Sequence, residues 1–156
     1  MFPKYHLIFG IFLSLILLLF FPGIGFFGVL LVFLSSFLID VDHYLYYVYN
    51  KREWNLKRAY RWFSKRREEY HKLPKEDFGK YKQIILIFHG IECWGLIFII
   101  SLFFNPLFLV FFGIVFHLLF DFAESIYYGV PISDKFSQIY VFITNKNKKE
   151  LKIKWQ

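Results

Sequence analysis

The stretch LIDVDHYLYY, residues 38–47, decides how this chain is read. A long run of leucine, phenylalanine and valine passes without a break into Asp40, Asp42 and His43, and then into tyrosines. Ahead of it, no Asp, Glu, Lys or Arg occurs from Tyr5 to Ile39, and a second such gap separates Glu92 from Asp121. Uncharged apolar runs of about 18 or more residues read as membrane spans. The chain is 57% hydrophobic, with 23 Phe and 11 Tyr in 156 residues, more apolar surface than a soluble domain of that length can hide. The expected fold class is therefore all-α: a polytopic membrane protein, built as a four-transmembrane-helix bundle with a basic cytoplasmic loop.

The spans run from about Tyr5 to Phe21, from Ile24 through Asp40 and His43 toward Tyr49, from Gln83 to Phe104, and from Leu107 to Tyr128. Pro22-Gly23 and Asn105-Pro106 make tight turns, and Gly129 and Pro131 close the fourth span. A single leading lysine and the lack of a small-residue cleavage site argue against a signal peptide. Of the 19 Lys and Arg, Lys4 precedes the first span, twelve lie between Lys51 and Lys82, six lie from Lys135 to Lys154, and neither tight turn carries any. The positive-inside rule puts both termini and the 51–82 loop in the cytoplasm, in a protein of the cell (plasma) membrane. The net charge of +7 then reflects topology and does not point to nucleic acid. Residues 1–131, loop included, form the transmembrane domain, and 132–156 a basic cytoplasmic tail.

In the loop, Trp54, Leu56, Tyr60, Trp62 and Phe63 are interleaved with basic residues, which suits a helix in the headgroup layer. Such a loop is either a lid or collector for anionic substrates, or a topogenic segment with aromatic anchors. The single Cys93 excludes a disulfide within the chain and a cysteine-rich metal site.

Ionisable groups within the spans are few: His6; Asp40, Asp42 and His43; His89 and Glu92; His117, Asp121 and Glu124. Each needs a reason, because a charge at the bilayer centre costs about 3 kcal/mol even on the lenient insertion scale. At 1.5 Å per residue, His89 and Glu92 lie about 9 and 13 Å in from Gln83, and Asp121 and His117 about 10 and 16 Å in from Tyr128. Asp40 and His43 fall at the same level, with His6 shallower, near the rim. His117 and Asp121 share a helix face at i, i+4; His89 and Glu92, like Asp40 and His43, stand at i, i+3. Asp42 lies off the Asp40–His43 line of a regular helix, as a cap or an outer-shell group. Such pairs, projecting from facing helices, build carboxylate-bridged metal sites in bundle cores. Imidazole and carboxylate donors without thiolate suit Zn first, then Mn or Fe, as one or two divalent ions. A hydrogen-bonded polar cluster without metal is the competing reading.

These residues resemble the pattern of the YdjM-type family of membrane-bound metal-dependent hydrolases. The matching elements are His6-Leu-Ile-Phe-Gly10, Asp40-Val-Asp42-His43, His89-Gly-Ile-Glu92, His117-Leu-Leu-Phe-Asp121 and the later Gly129-Val-Pro131. The family's central motif often reads His-Arg-Gly-x-Thr-His-Ser; here Glu92 stands in place of a second histidine. The resemblance implies hydrolase chemistry without naming a substrate.

The expected function is a metal-dependent hydrolase of a lipid or lipid-linked ester or phosphoester at the cytoplasmic leaflet. The candidate metal ligands are His6, Asp40, Asp42, His43, His89, Glu92, His117 and Asp121, with His6 an outer ligand or substrate contact. Glu92 and Asp40 are the candidate catalytic carboxylates, Glu92 as general base or ligand and Asp40 as a bridging ligand. The basic loop would hold an anionic headgroup. A metal carrier or channel, or a di-metal lipid oxidase, could use the same residues, although the outer half of the spans offers no polar path. The zinc-protease motif HExxH is absent.

Overall fold

The computed structural model describes residues 3–151. The end of the basic tail, with Lys152 and Lys154, lies outside the described residues. The fold is all-helical; among the described residues the only strand-like pairing is an isolated bridge between Tyr81 and Lys149. Helix α1 (Pro3–Phe20) ends at the Pro22–Ile24 turn, where Gly25 takes a φ of 68° that favours glycine. Helix α2 (Gly25–Leu38) is followed after a short break by α3 (Val41–Lys51), capped by Arg52 in the left-handed conformation. Helix α4 (Leu56–His71) starts at Asn55, whose side chain accepts the Arg58 N–H at 3.0 Å. Helices α5 (Ile91–Ser101) and α6 (Asn105–Tyr128) follow, and then the short α7 (Ser133–Phe136) and α8 (Gln138–Thr144). Gly129 closes α6 at a φ of 68°, with the Val130 N–H returning to the Ser125 carbonyl at 2.8 Å.

The packing order is α1 against α2, α2 against α6, and α6 against α5. Small residues set the spacing. A Cβ on Gly113 of α6 would lie 2.5 Å from the Val32 carbonyl oxygen, and one on Gly10 of α1 would lie 2.7 Å from Ser36 Oγ. Neither helix could approach α2 so closely with a larger residue there. Phe9 of α1 stacks on Phe120 of α6 at 4.1 Å, which ties the first and last long helices together. The outward faces are rows of exposed Leu, Ile and Phe, such as Ile8, Phe12, Leu15 and Leu19 on α1.

Two helical stretches, Pro22–Lys51 and Asn105–Tyr128, are long and apolar enough to cross a membrane; the apolar parts of α1 and α5 are shorter. The greatest departure from the expected spans is at 83–104, where only Ile91–Ser101 is α-helix. The preceding residues are extended, with a 3₁₀ turn at Ile87–His89. Side chains from outside the segment take its backbone groups. Asn145 receives the Gln83 N–H and donates to the Gln83 carbonyl, Gln138 Oε1 accepts from Leu86 N–H, and Asp42 Oδ2 accepts from Phe88 N–H. Periodicity in the sequence cannot report partners so distant, and with them the helix is no longer needed to satisfy the backbone.

In the loop, α4 lies along α3 and buries Ala59, Trp62, Arg66 and Tyr70, one face at i, i+3, i+7 and i+11. Trp62 sits in a cluster with Tyr47 and Ala59, while Trp54, Leu56 and Tyr60 remain exposed.

Candidate metal centre

The break between α2 and α3 explains the opening stretch. Its backbone bonds run from Asp40 N–H to Phe37 O, Asp42 N–H to Ile39 O and His43 N–H to Asp40 O, all i to i−3. On an α-helix Asp40 and Asp42 stand about 160° apart, and a 3₁₀ turn reduces that to about 120°. Tightening the turn therefore brings Asp42 round toward the face of Asp40 and His43. The three groups then act on one cluster.

Two buried histidines form its centre. His117 Nδ1 lies 2.8 Å from the Ser36 carbonyl, which can only accept, so Nδ1 carries the proton. His89 Nδ1 lies 3.0 Å from Asp42 Oδ2, an oxygen that also takes the Phe88 N–H at 3.1 Å. With both neutral rings protonated on Nδ1, each Nε2 bears a lone pair, and the two Nε2 atoms face one another at 3.3 Å. Two lone pairs at that distance repel unless a proton or a cation lies between them. Around the same point, Asp40 Oδ1 is 3.6 and 3.7 Å from the two Nε2 atoms, and Asp121 Oδ2 is 3.7 and 3.9 Å from them. A tetrahedral zinc with bonds of about 2.0–2.2 Å needs donors about 3.3–3.6 Å apart. The five measured edges fit that set with a few tenths of an ångström to spare. Asp40 Oδ2 is buried with no hydrogen-bond partner among the described residues. This His/Asp cluster can hold a metal ion.

His6, expected near the rim, lies instead in the core at 2% exposure. Its ring stacks on His117 at 3.7 Å, and its Nε2 lies 3.2 Å from Asp121 Oδ1. Gly10, one turn further along α1, admits this approach by letting the helix sit against Ser36. His43 is the most open member: its Nδ1 lies 3.1 Å from Asp42 Oδ1 and 3.4 Å from Asp40 Oδ1. Both Asp42 oxygens are thus engaged by His43, His89 and the Phe88 N–H, so Asp42 orients imidazoles and directs no measured oxygen at the centre. A carboxylate placed behind an imidazole in this way fixes its ring and tautomer, as it does behind histidines that ligate metals.

Glu92 is not brought to the cluster. Its carboxylate accepts from Ser137 Oγ at 2.5 Å, Gln138 N–H at 3.1 Å and Ile139 N–H at 3.2 Å, at the start of α8. Glu124, on the helix face of His117 and Asp121, pairs with Arg67 of α4 and lies 3.9 Å from Lys135 Nζ. His71 stands apart, stacked on Tyr128 at 4.2 Å, and burial together with Arg67 holds its pKa below the usual imidazole value.

Residues missing from the sequence reading also shape the site. Lys135 Nζ is 3.2 Å from Asp121 Oδ2. It lies in the segment after α6, where nothing in the pattern marks it out. The Ser36 carbonyl is invisible to residue-type reasoning, but the small residues Ser35-Ser36 facing Gly113 were a readable sign of close helix approach. No protein-family model, curated protein or solved structure matches this chain.

Proposed function

We propose that this chain is an integral membrane protein and a metal-dependent hydrolase of a lipid or lipid-linked ester or phosphoester at the cytoplasmic leaflet. The reading is carried by the two Nε2 lone pairs that face each other beside Asp40 and Asp121. His89, His117, Asp121 and Asp40 Oδ1 would hold one divalent ion, zinc by the chemistry of the donors. When bound, such an ion polarises an ester or phosphoryl oxygen and lowers the pKa of water toward neutrality.

The chain's own groups do the rest. Asp42 and the Ser36 carbonyl keep Nδ1 of His89 and His117 protonated, so both Nε2 atoms stay available as donors. Asp40 borders both the cluster and an apolar groove, so its partnerless Oδ2 is the atom that receives a proton from water. His6 keeps Asp121 in place through Oδ1 and shields His117 by stacking. Glu92 is assigned to holding α8, not to proton transfer. The resemblance to the YdjM-type hydrolases agrees with this chemistry.

The proposed topology has α1, the α2–α3 stretch and α6 crossing the membrane. Residues 83–90 together with α5 make the fourth crossing. Five extended residues at about 3.3 Å each, the three of the 3₁₀ turn at about 2.0 Å and eleven helical ones at 1.5 Å together exceed the ~30 Å hydrocarbon core. Both termini and the 51–82 loop then face the cytoplasm.

The test is a hydrolysis screen over lipid esters and phosphoesters, using protein stripped by chelator and then reloaded with zinc, manganese or iron. Activity restored by metal in the wild type but not in Asp121→Ala supports the reading. A metal-loaded, folded protein that turns over no lipid class overturns it.

A further inference from the structure

Two hollows meet at the edge of the cluster. One is a groove of about 600 Å³ with walls from Phe37, Val41, Tyr44, Leu56 and Tyr60, and with Asp40 in its lining. The other is a cleft of about 180 Å³ lined by Arg66, Arg67, Lys135, Glu124 and Ser125. His43 and Phe63 line both, in edge-to-face contact with ring centroids 5.1 Å apart. His43 in turn stands 5.0 Å, ring to ring, from His89. An apolar groove and a cationic cleft therefore share one histidine beside the metal donors.

The charges in the cleft select its occupant. Arg66, Arg67 and Lys135 share the lining with one carboxylate, Glu124, and Lys135 also meets Asp121; with Asp121 committed to the metal ion, a surplus of two positive charges remains. His71 is the weaker contributor, since burial and Arg67 both disfavour its charged form. A phosphate monoester carries about −1.5 to −2 at that pH, which matches this surplus; a carboxylate or a phosphodiester carries only −1. The cations are also held in position. Arg66 donates to the Lys82 carbonyl at 2.6 Å and lies over Trp62, Arg67 pairs with Glu124, and Lys135 reaches Asp121. Fixed donors lose little freedom on binding an anion.

We propose that the substrate of the hydrolase read above is a phosphate monoester of a long-chain alcohol, with its phosphate in the Arg66–Arg67–Lys135 cleft and its chain in the Phe37–Tyr60 groove. This rests on the hydrolase reading and adds to it the substrate class and the binding mode. Hydrolysis joins the oxygen of water to phosphorus and breaks the phosphorus–oxygen bond to the chain. One water proton goes to the departing alkoxide and the other to Asp40, giving a free alcohol and inorganic phosphate.

The experiment is calorimetric binding to the full chain, zinc-loaded, in a neutral sterol-based detergent that leaves alkyl grooves open. The probes are decyl phosphate, decanol and inorganic phosphate. Decyl phosphate should bind at least about tenfold tighter than either of the others. Arg67→Gln and Lys135→Gln should each weaken decyl phosphate about tenfold with metal content unchanged, and Arg67→Lys should recover most of the loss. Val41→Trp, which narrows the groove, should weaken decyl phosphate and leave inorganic phosphate alone. Should Lys135→Gln lose metal, the two Arg67 variants decide the matter. Decyl phosphate binding no tighter than decanol, or no tighter than inorganic phosphate, overturns the proposal, as does wild-type affinity in Arg67→Gln. Tight binding of decyl phosphate with no phosphate released would instead strike at the hydrolase reading, so the two failures separate.

Discussion

Replacing Asp42 with Asn tests the claim that this carboxylate orients the histidines without ligating the ion. Asp42 takes three donors: His89 Nδ1–H at 3.0 Å, Phe88 N–H at 3.1 Å and His43 Nδ1 at 3.1 Å. Asparagine can keep its oxygen toward His89 and Phe88 only by turning its amide toward His43, whose ring then moves its proton to Nε2 to accept. All three contacts survive in that arrangement. The lost term is the negative charge behind His89, which makes its Nε2 a weaker donor. Removing such an outer partner costs about 10–100-fold in metal affinity, or about 1.4–2.8 kcal/mol. Loss of a direct ligand should cost far more and leave buried partners unpaired, at about 3–5 kcal/mol of stability. The assay is competition for zinc against a chromophoric chelator at fixed pH, with thermal unfolding followed in parallel. Asp42→Asn should fall in the 10–100-fold window and unfold near the wild type. Wild-type affinity would mean that Asp42 does not hold His89 in its ligating state. Affinity as poor as that of Asp121→Ala would make Asp42 itself a ligand.

Gly113→Val should separate α2 from α6, because its Cβ would lie 2.5 Å from the Val32 carbonyl and 3.1 Å from Ser36 N. His117 and Ser36 are one turn along the same interface, so about 1–3 kcal/mol of stability and most metal affinity should go together; thermal melts and zinc titration check both. Glu92→Gln should keep metal and turnover while raising amide exchange across Gln138–Thr144, since it weakens the three bonds at Ser137, Gln138 and Ile139. If that variant retains metal but loses turnover with exchange unchanged, Glu92 is the general base after all. In a Cys93→Ser background, Lys65→Cys should react with impermeant thiol reagents only from the cytoplasmic side and Asn105→Cys only from outside; the reverse pattern inverts the topology.

Much of the helical architecture could be read from local signals. The uncharged run from Tyr5 to Ile39, the two Pro-containing turns and the Gly129 stop are short-range features, and α1, α2 and α6 follow them. The meeting of Asp40, His43, His89, His117 and Asp121 was legible from depth and helical spacing, because a buried ionisable group must find a partner at its own level. What escaped were contacts made by chain segments far apart in sequence. Glu92 shares a turn with His89 by spacing alone, but His89 ends a 3₁₀ turn, the extended Gly90 separates it from α5, and the Glu92 carboxylate goes to α8. Counted along α1 alone, His6 falls near the rim. Gly10 and the stack on His117 carry it into the core. Lys135 is 14 residues from Asp121 along the chain, and only the turn after Gly129 brings it back.

Metal content tests the central claim most directly. Protein purified without chelators, and then equilibrated with zinc, manganese or iron and freed of excess, should carry about one tightly held ion per chain, with a second weaker ion admissible on the Asp40–His43 side. X-ray absorption at the bound ion should show only nitrogen and oxygen neighbours near 2.0–2.2 Å, with the scattering of at least two imidazoles. Folded protein with metal near zero, which still binds none of the three ions on addition, would contradict the account. The facing Nε2 atoms of His89 and His117 would then share a proton, in a polar cluster that holds no metal.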